Sequence, residues 1–276
     1  MTDVDLMLLE FAIAQMYVPG VLEPPLPASL SRTWRLAGYI TGQDALCRPC
    51  AGFAIGAQRV YYGALLQSLT DSSFVLALRG TSSAVEWWEN ADFLLRDYSA
   101  GRCEAGFYGI YQTLQFRYPG SPDGLLINSI KTAVGKNPLT VIGHSLGAAL
   151  ASYAAYELSA GGAASARLFC SPHPGDFTFA KAFGLRVPDH RAYLYSRDLV
   201  PRLPIGFGYS PVPNLTVVTP SSAKIDLVCK DAADCLLCAH HVTSLAAMLD
   251  PEAVNAAQLP EEFSRCLPPP VATLAT

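Results

Sequence analysis

The sequence predicts an α/β fold with a mostly parallel central sheet and helices on both of its faces. Three observations predict it. Apolar runs of strand length alternate with segments of helical period along most of the chain. Several of those runs are apolar throughout, as strands covered on both faces are. A chain of 276 residues, 51% hydrophobic and only 15% charged, is large enough for one sizeable core.

The elements follow in order. Residues 5–18 (DLMLLEFAIAQMYV) read as an opening helix, stopped by Pro19, Gly20, Pro24, Pro25 and Pro27. Residues 53–69 mix small, apolar and aromatic side chains and read as strand paired with the next. Residues 73–79 (SFVLALR) form a buried strand that runs into a sharp loop at Gly80-Thr81. Residues 102–117 predict a helix, with Phe107, Ile110, Tyr111 and Leu114 on one face and a turn at Pro119-Gly120 beyond. Residues 129–134 end another helix. Residues 139–143 are a strand and 146–158 a helix of small residues. Residues 166–170, 191–195 and 215–218 are further strands, and 234–250 contain the last clear helix. No internal repeat is present. The chain therefore reads as a single domain, with residues 1–51 an N-terminal arm and helix, 52–250 the catalytic core, and 251–276 a proline-rich C-terminal extension.

The formal net charge is −4, from 19 basic and 23 acidic residues, and no basic stripe stands out. This argues against a nucleic-acid partner. No run of 18 apolar residues is free of charge, so no transmembrane segment is expected. At the N-terminus acidic residues precede the apolar run, no Lys or Arg does, and Glu10 breaks it. That is unlike a secretory signal and gives the expectation of a cytoplasmic location, with signal-independent export as the alternative. Eight cysteines include two C-x-x-C pairs, Cys47/Cys50 and Cys235/Cys238. Structural zinc, disulfides and free thiols all remain open for them. Cys170 ends an apolar run and reads as a small buried hydrophobe.

The chemistry is written most clearly at Gly143-His144-Ser145-Leu146-Gly147, a G-x-S-x-G preceded by the apolar PLTVI and followed by the helix former LGAALASYAAYEL. A strand turning at once into a helix forces its serine into a tight elbow, with the hydroxyl exposed over a helix N-terminus. The strand–elbow–helix context makes this a nucleophile and predicts an α/β-hydrolase fold. The Leu146 amide supplies one oxyanion donor, and the loop after residues 73–79 places Thr81 as the other. In this fold the acid and then the base follow the serine. Asp198, in a proline-stiffened loop after the strand RAYLY, is the first choice of acid, ahead of Asp176 and Asp226. Only His240 and His241 follow Asp198. Helical register favours His240, with His241 the alternative base. Such a mechanism needs no metal or organic cofactor.

In these residues the chain resembles the class 3 lipase family, the fungal-type triacylglycerol lipases and their bacterial relatives, a bacterial member being expected. The resemblance covers residues 52–250. It rests on FVLALRGTSSAVEWWENADF, LTVIGHSLGAALASYAA, CSPHPGDFTFAKAF and YLYSRDLVPRLPIGFGY. It implies an oxyanion donor at Thr81, a nucleophile at Ser145, an acid at Asp198 and a base at His240, with Val242 and Leu245 beyond it. It also implies a short lid over residues 82–90, carrying Trp87 and Trp88, that opens at a lipid–water interface. The chain departs from the family pattern at several places: Glu104 stands where many members have histidine in His-x-Gly-Phe, His173-Pro174-Gly175 replaces Arg-Val-Gly, Leu245 replaces the usual aromatic, and the cysteines around the base are not a general family feature. The expected function is hydrolysis of acylglycerol esters, with a lipid or other small ester as substrate. Phospholipase A1 and non-lipid or feruloyl esterase activity are the alternatives, and a non-catalytic interaction protein on the same fold is a distant one.

Overall fold

The computed structural model describes residues 1–43, 58–80, 94–160, 164–206 and 208–269. A nine-stranded sheet runs through it in the order β11-β10-β9-β8-β3-β2-β1-β6-β7. These strands are β1 (Trp34–Gln43), β2 (Arg59–Ser68), β3 (Phe74–Leu78), β6 (Gln115–Arg117), β7 (Asp123–Leu125), β8 (Leu139–His144), β9 (Ala164–Phe169), β10 (His190–Tyr195) and β11 (Leu215–Val218). From β3 to β11 every pairing is parallel, whereas β2, β1, β6 and β7 add antiparallel strands at the other edge. A separate hairpin pairs β4 (Leu95–Tyr98) with β5 (Gly101–Glu104).

Helices cover both faces because alternate residues of the central strands are apolar on both. In β3, Phe74, Leu76 and Leu78 join one cluster, while Val75 and Ala77 join the other. The first cluster packs against α2 (Ala105–Thr113), α3 (Leu126–Val134), α4 (Leu146–Leu158) and α5 (Phe177–Arg186). The second packs against α1 (Asp3–Ala14), α7 (Val242–Leu249) and α8 (Pro251–Ala256). Helices α6 (Ala232–His240) and α9 (Glu261–Ser264) complete the elements. The opening helix is started by a capping box, with Thr2 Oγ1 accepting from the Asp5 N–H at 3.1 Å and the Asp5 carboxylate from the Thr2 N–H at 2.7 Å.

Several elements differ from the sequence expectation. The helix over residues 102–117 is shorter, because its ends extend into β5 and β6 and only α2 between them is helical. Its apolar face packs as expected, with Phe107, Ile110 and Tyr111 buried. The helix over residues 234–250 is two helices, α6 and α7, bent by 73° at their junction. β1, within the segment read as arm and helix, is an interior strand of the main sheet. Among the described residues no single helix is long and apolar enough to cross a membrane.

Candidate active site

Three elements deliver three side chains to the C-terminal ends of the parallel strands. Ser145 lies between β8 and α4 with φ 57° and ψ −130°. A left-handed φ at a non-glycine residue costs about 1–3 kcal/mol and is held only where neighbours demand it. Here those neighbours are glycines. A Cβ on Gly143 would lie 2.3 Å from the Gly147 carbonyl oxygen, and one on Gly147 2.0 Å from that of Leu78. Only glycine at both positions lets the elbow close. The Ser145 N–H is anchored to the Phe169 carbonyl of β9 at 2.9 Å.

Asp198 lies in the turn after β10, fully buried. Its Oδ1 accepts from the Val200 N–H at 3.0 Å, which leaves Oδ2 to accept from His240 Nδ1 at 2.8 Å. His240 is the last residue of α6, and its Nε2 lies 2.8 Å from Ser145 Oγ. With Nδ1–H donating to the carboxylate, Nε2 is the acceptor for the serine hydroxyl. The structure thus brings Ser145, His240 and Asp198 into one hydrogen-bonded line. Leu146, the first residue of α4, follows the serine directly. Thr81, Trp87 and Trp88 lie outside the described residues, as do Cys47 and Cys50.

The alternatives are placed elsewhere. His241 turns away, bonded to Thr243 Oγ1 at 3.0 Å and packed beside Phe11 and Phe263, and burial pulls its pKa down to about 4. Asp176 caps α5, accepting from the Phe179 N–H at 2.8 Å, and pairs with Arg102. Asp226 is exposed. Glu104 caps α2, accepting from the Phe107 N–H at 2.6 Å, and burial raises its pKa to about 7.

Sequence reasoning missed the support behind the line. His144 Nε2 donates to the His240 carbonyl at 2.7 Å, and the two rings are 4.8 Å apart. Burial holds the His144 pKa well below its ordinary value. Cys170, with φ 51°, is buried near Asp198, and burial followed by that negative charge raises its pKa well above the ordinary value. The strand–elbow pattern marked His144 only as a spacer, and nothing in the sequence linked residue 170 to residue 198. Among the described residues, His144, Cys170 and His240 form one group of metal-ligand spacing, their donor atoms within 4.8 Å of one another. The His240 nitrogens and His144 Nε2 are already engaged in hydrogen bonds.

The cysteines near the base are disulfide-bonded, Cys229 to Cys235 and Cys238 to Cys266. Cys235 and Cys238 therefore pair with partners outside their C-x-x-C motif, and neither is a zinc ligand here. Cys103 and Cys170 are free and buried.

Residues 75–207 match the model of the family described as Lipase (class 3). Secreted mono- and diacylglycerol lipase A from Penicillium cyclopium is 33% identical over 168 residues, covering 56% of this chain and 52% of the relative, and the Penicillium camembertii protein of the same name gives the same figures. The chain thus spans about half the length of these curated relatives. Both are secreted, which overturns the expectation of a cytoplasmic location drawn from the N-terminal residues. Among solved structures, a Penicillium cyclopium MDLA mutant is 20% identical, with a TM-score of 0.58 and 84% of each chain covered. A nonglycosylated lipase from Yarrowia lipolytica is 16% identical, with a TM-score of 0.59, covering 78% of this chain and 79% of its own. At such identities the likeness shows the fold, which is the α/β-hydrolase fold. The family match over residues 75–207 bears out the resemblance to the class 3 lipases across that stretch.

Proposed function

We propose that this chain is a serine ester hydrolase that cleaves acylglycerols through an acyl-enzyme on Ser145. The observation that carries the reading is the line from Asp198 through His240 to Ser145, two 2.8 Å bonds ending on a serine held at a strained elbow. His240 Nε2 takes the hydroxyl proton as Oγ attacks the ester carbonyl, and the buried Asp198 carboxylate stabilises the imidazolium that forms. The Leu146 amide, with that of Thr81 assigned by family resemblance, receives the developing oxyanion over the positive end of α4. The imidazolium then protonates the departing alcohol. Water cleaves the acyl-enzyme by the same steps, returning the proton to Ser145.

The relatives are named as mono- and diacylglycerol lipases, so partial glycerides are the first substrates to offer. Their secretion extends to this chain in the same reading, and two disulfides suit an oxidising compartment. The lid role of Trp87 and Trp88 rests on the resemblance alone.

The test is hydrolysis of mono-, di- and triacylglycerols of short, medium and long acyl length, from dissolved monomer to emulsion, beside Ser145→Ala. The substitution removes about 10⁴-fold or more of kcat at every chain length. A rate that jumps on emulsions, and a jump lost in the Trp87→Ala/Trp88→Ala double variant, supports the lid. Cleavage confined to phospholipids or to soluble esters keeps Ser145 and replaces the substrate class. An alanine protein as active as the wild type overturns the reading.

A further inference from the structure

Glu10 is a carboxyl where apolar packing is expected. It sits in the middle of α1, on the face that buries Met7, Phe11 and Ile13, and is itself 1% exposed. Neither carboxyl oxygen has a hydrogen-bond partner of ordinary geometry among the described residues. An unpartnered buried acid costs stability and calls for an explanation. Its surroundings supply one, for it lies behind the nucleophile elbow. The face of α1 that carries it packs against β8, the strand that ends at His144, and His144 in turn holds the His240 carbonyl on its ring.

We propose that Glu10 is a positioning residue for the elbow, and that its loss of a proton sets the alkaline limit of the reaction. The inference rests on the serine-hydrolase reading above. In its neutral form Glu10 fills the space under β8 and lets α1 seat against the strand that ends at Ser145. Ionised, it places a buried anion beneath His144, and α1 must shift to hydrate it. That shift loosens the His144 ring and the carbonyl that locates His240.

The groups around it favour the neutral form at neutral pH. Burial is the main influence and raises the Glu10 pKa to about 8, while the His144 N–H and the Arg79 charge draw it back. Arg79, at the exit of β3, donates to the Tyr61 and Gly80 carbonyls and lies over the Tyr17 ring, so its charge is shared. Tyr61 of β2 and Cys170 after β9 also face the site, and burial keeps both protonated. His241, beside Phe11 at the α6–α7 junction, is neutral above about pH 4. Arg167 of β9 pairs with Asp3 at the other end of α1.

The test follows the rate at which a fluorophosphonate labels Ser145 between pH 6 and pH 10, with Ser145→Ala as the blank. In the wild type the labelling rate falls as pH passes about 8. Glu10→Ala lowers it at pH 7 by roughly tenfold. Glu10→Gln, the same size and without a proton to lose, recovers most of that loss and carries the rate beyond about pH 9. Melting temperature gives a second readout: between pH 5 and pH 8.5 it falls further in the wild type than in Glu10→Gln. Coincident pH profiles of wild type and Glu10→Gln, in labelling and in melting, overturn the proposal. A wild type that labels no better than the blank overturns the serine-hydrolase reading instead, and the melting comparison then still decides where Glu10 titrates.

Discussion

At the scale of single residues, the site depends on side chains that are missing as much as on those present. Gly147 touches the backbone of the β3 exit so closely that an added methyl group would meet the Leu78 oxygen and the Arg79 carbonyl carbon at 2.0 and 2.6 Å. Backbone atoms cannot swing aside as a side-chain end can. Gly147→Ala is therefore expected to destabilise the protein by about 1–3 kcal/mol, with the elbow displaced and activity lost in proportion. Urea unfolding and ester turnover measured on one preparation check this. In the proposed mechanism Asp198 acts through charge and orientation. Replacing it with asparagine presents an amide where Nδ1–H needs an anion, and kcat is expected to fall about 10³- to 10⁴-fold with KM little changed. A variant within tenfold of wild type would remove Asp198 from its proposed role.

At the scale of elements, the proposed base, His240, sits at the end of α6, whose anchoring is partly covalent. Leu236 and Leu237 on this helix are half exposed, and only Cys238 and Ala239 are buried. Little apolar packing holds the helix. The Cys238–Cys266 bridge, two residues before His240, closes a separation of 28 residues and ties α6 to the C-terminal segment. The Cys238→Ser/Cys266→Ser protein is expected to lose about 2–4 kcal/mol of stability. Its kcat should fall more than its KM rises, because the loosened group is His240. Calorimetry with turnover kinetics tests both, and a variant equal to wild type in each would show that packing alone seats the base.

At the scale of the whole molecule, the buried titratable groups set opposing slopes in stability against pH. Glu10 and Glu104 have pKa values raised by burial, so their contribution is complete below about 4.5 and lost as pH climbs toward 7 and 8. His144, His173 and His241 are pulled below 6.5 by burial, so theirs is present above 6.5 and lost as pH falls beneath it. Stability is expected to peak near pH 6.5 and decline on both sides. Melting temperatures at pH 5, 6.5 and 8.5 in one low-salt buffer series test this, and a curve rising steadily to pH 8.5 would contradict it.

The sequence by itself determined the central elements and the order of the candidate triad. The helix over residues 146–158 and the strand over 215–218 match α4 and β11, and residues 73–79 bracket β3. A buried strand or helix of small residues writes its pattern locally, and the elbow is a local steric requirement. The same locality explains why Ser145, Asp198 and His240 could be selected before their contacts were seen. Register favoured His240 over His241, and tertiary structure shows the reason, since the two neighbouring side chains point to Ser145 and to Thr243 respectively. It decided that Cys235 and Cys238 part company, since a bridge depends on which sulfurs the fold brings within reach. It placed β1 inside the sheet and split the helix before residue 250, where long-range packing overrides the local period. And it alone set Glu10 behind His144, because a charge in an apolar helix shows only that something is unusual, and its meaning lies in what the folded chain packs against it.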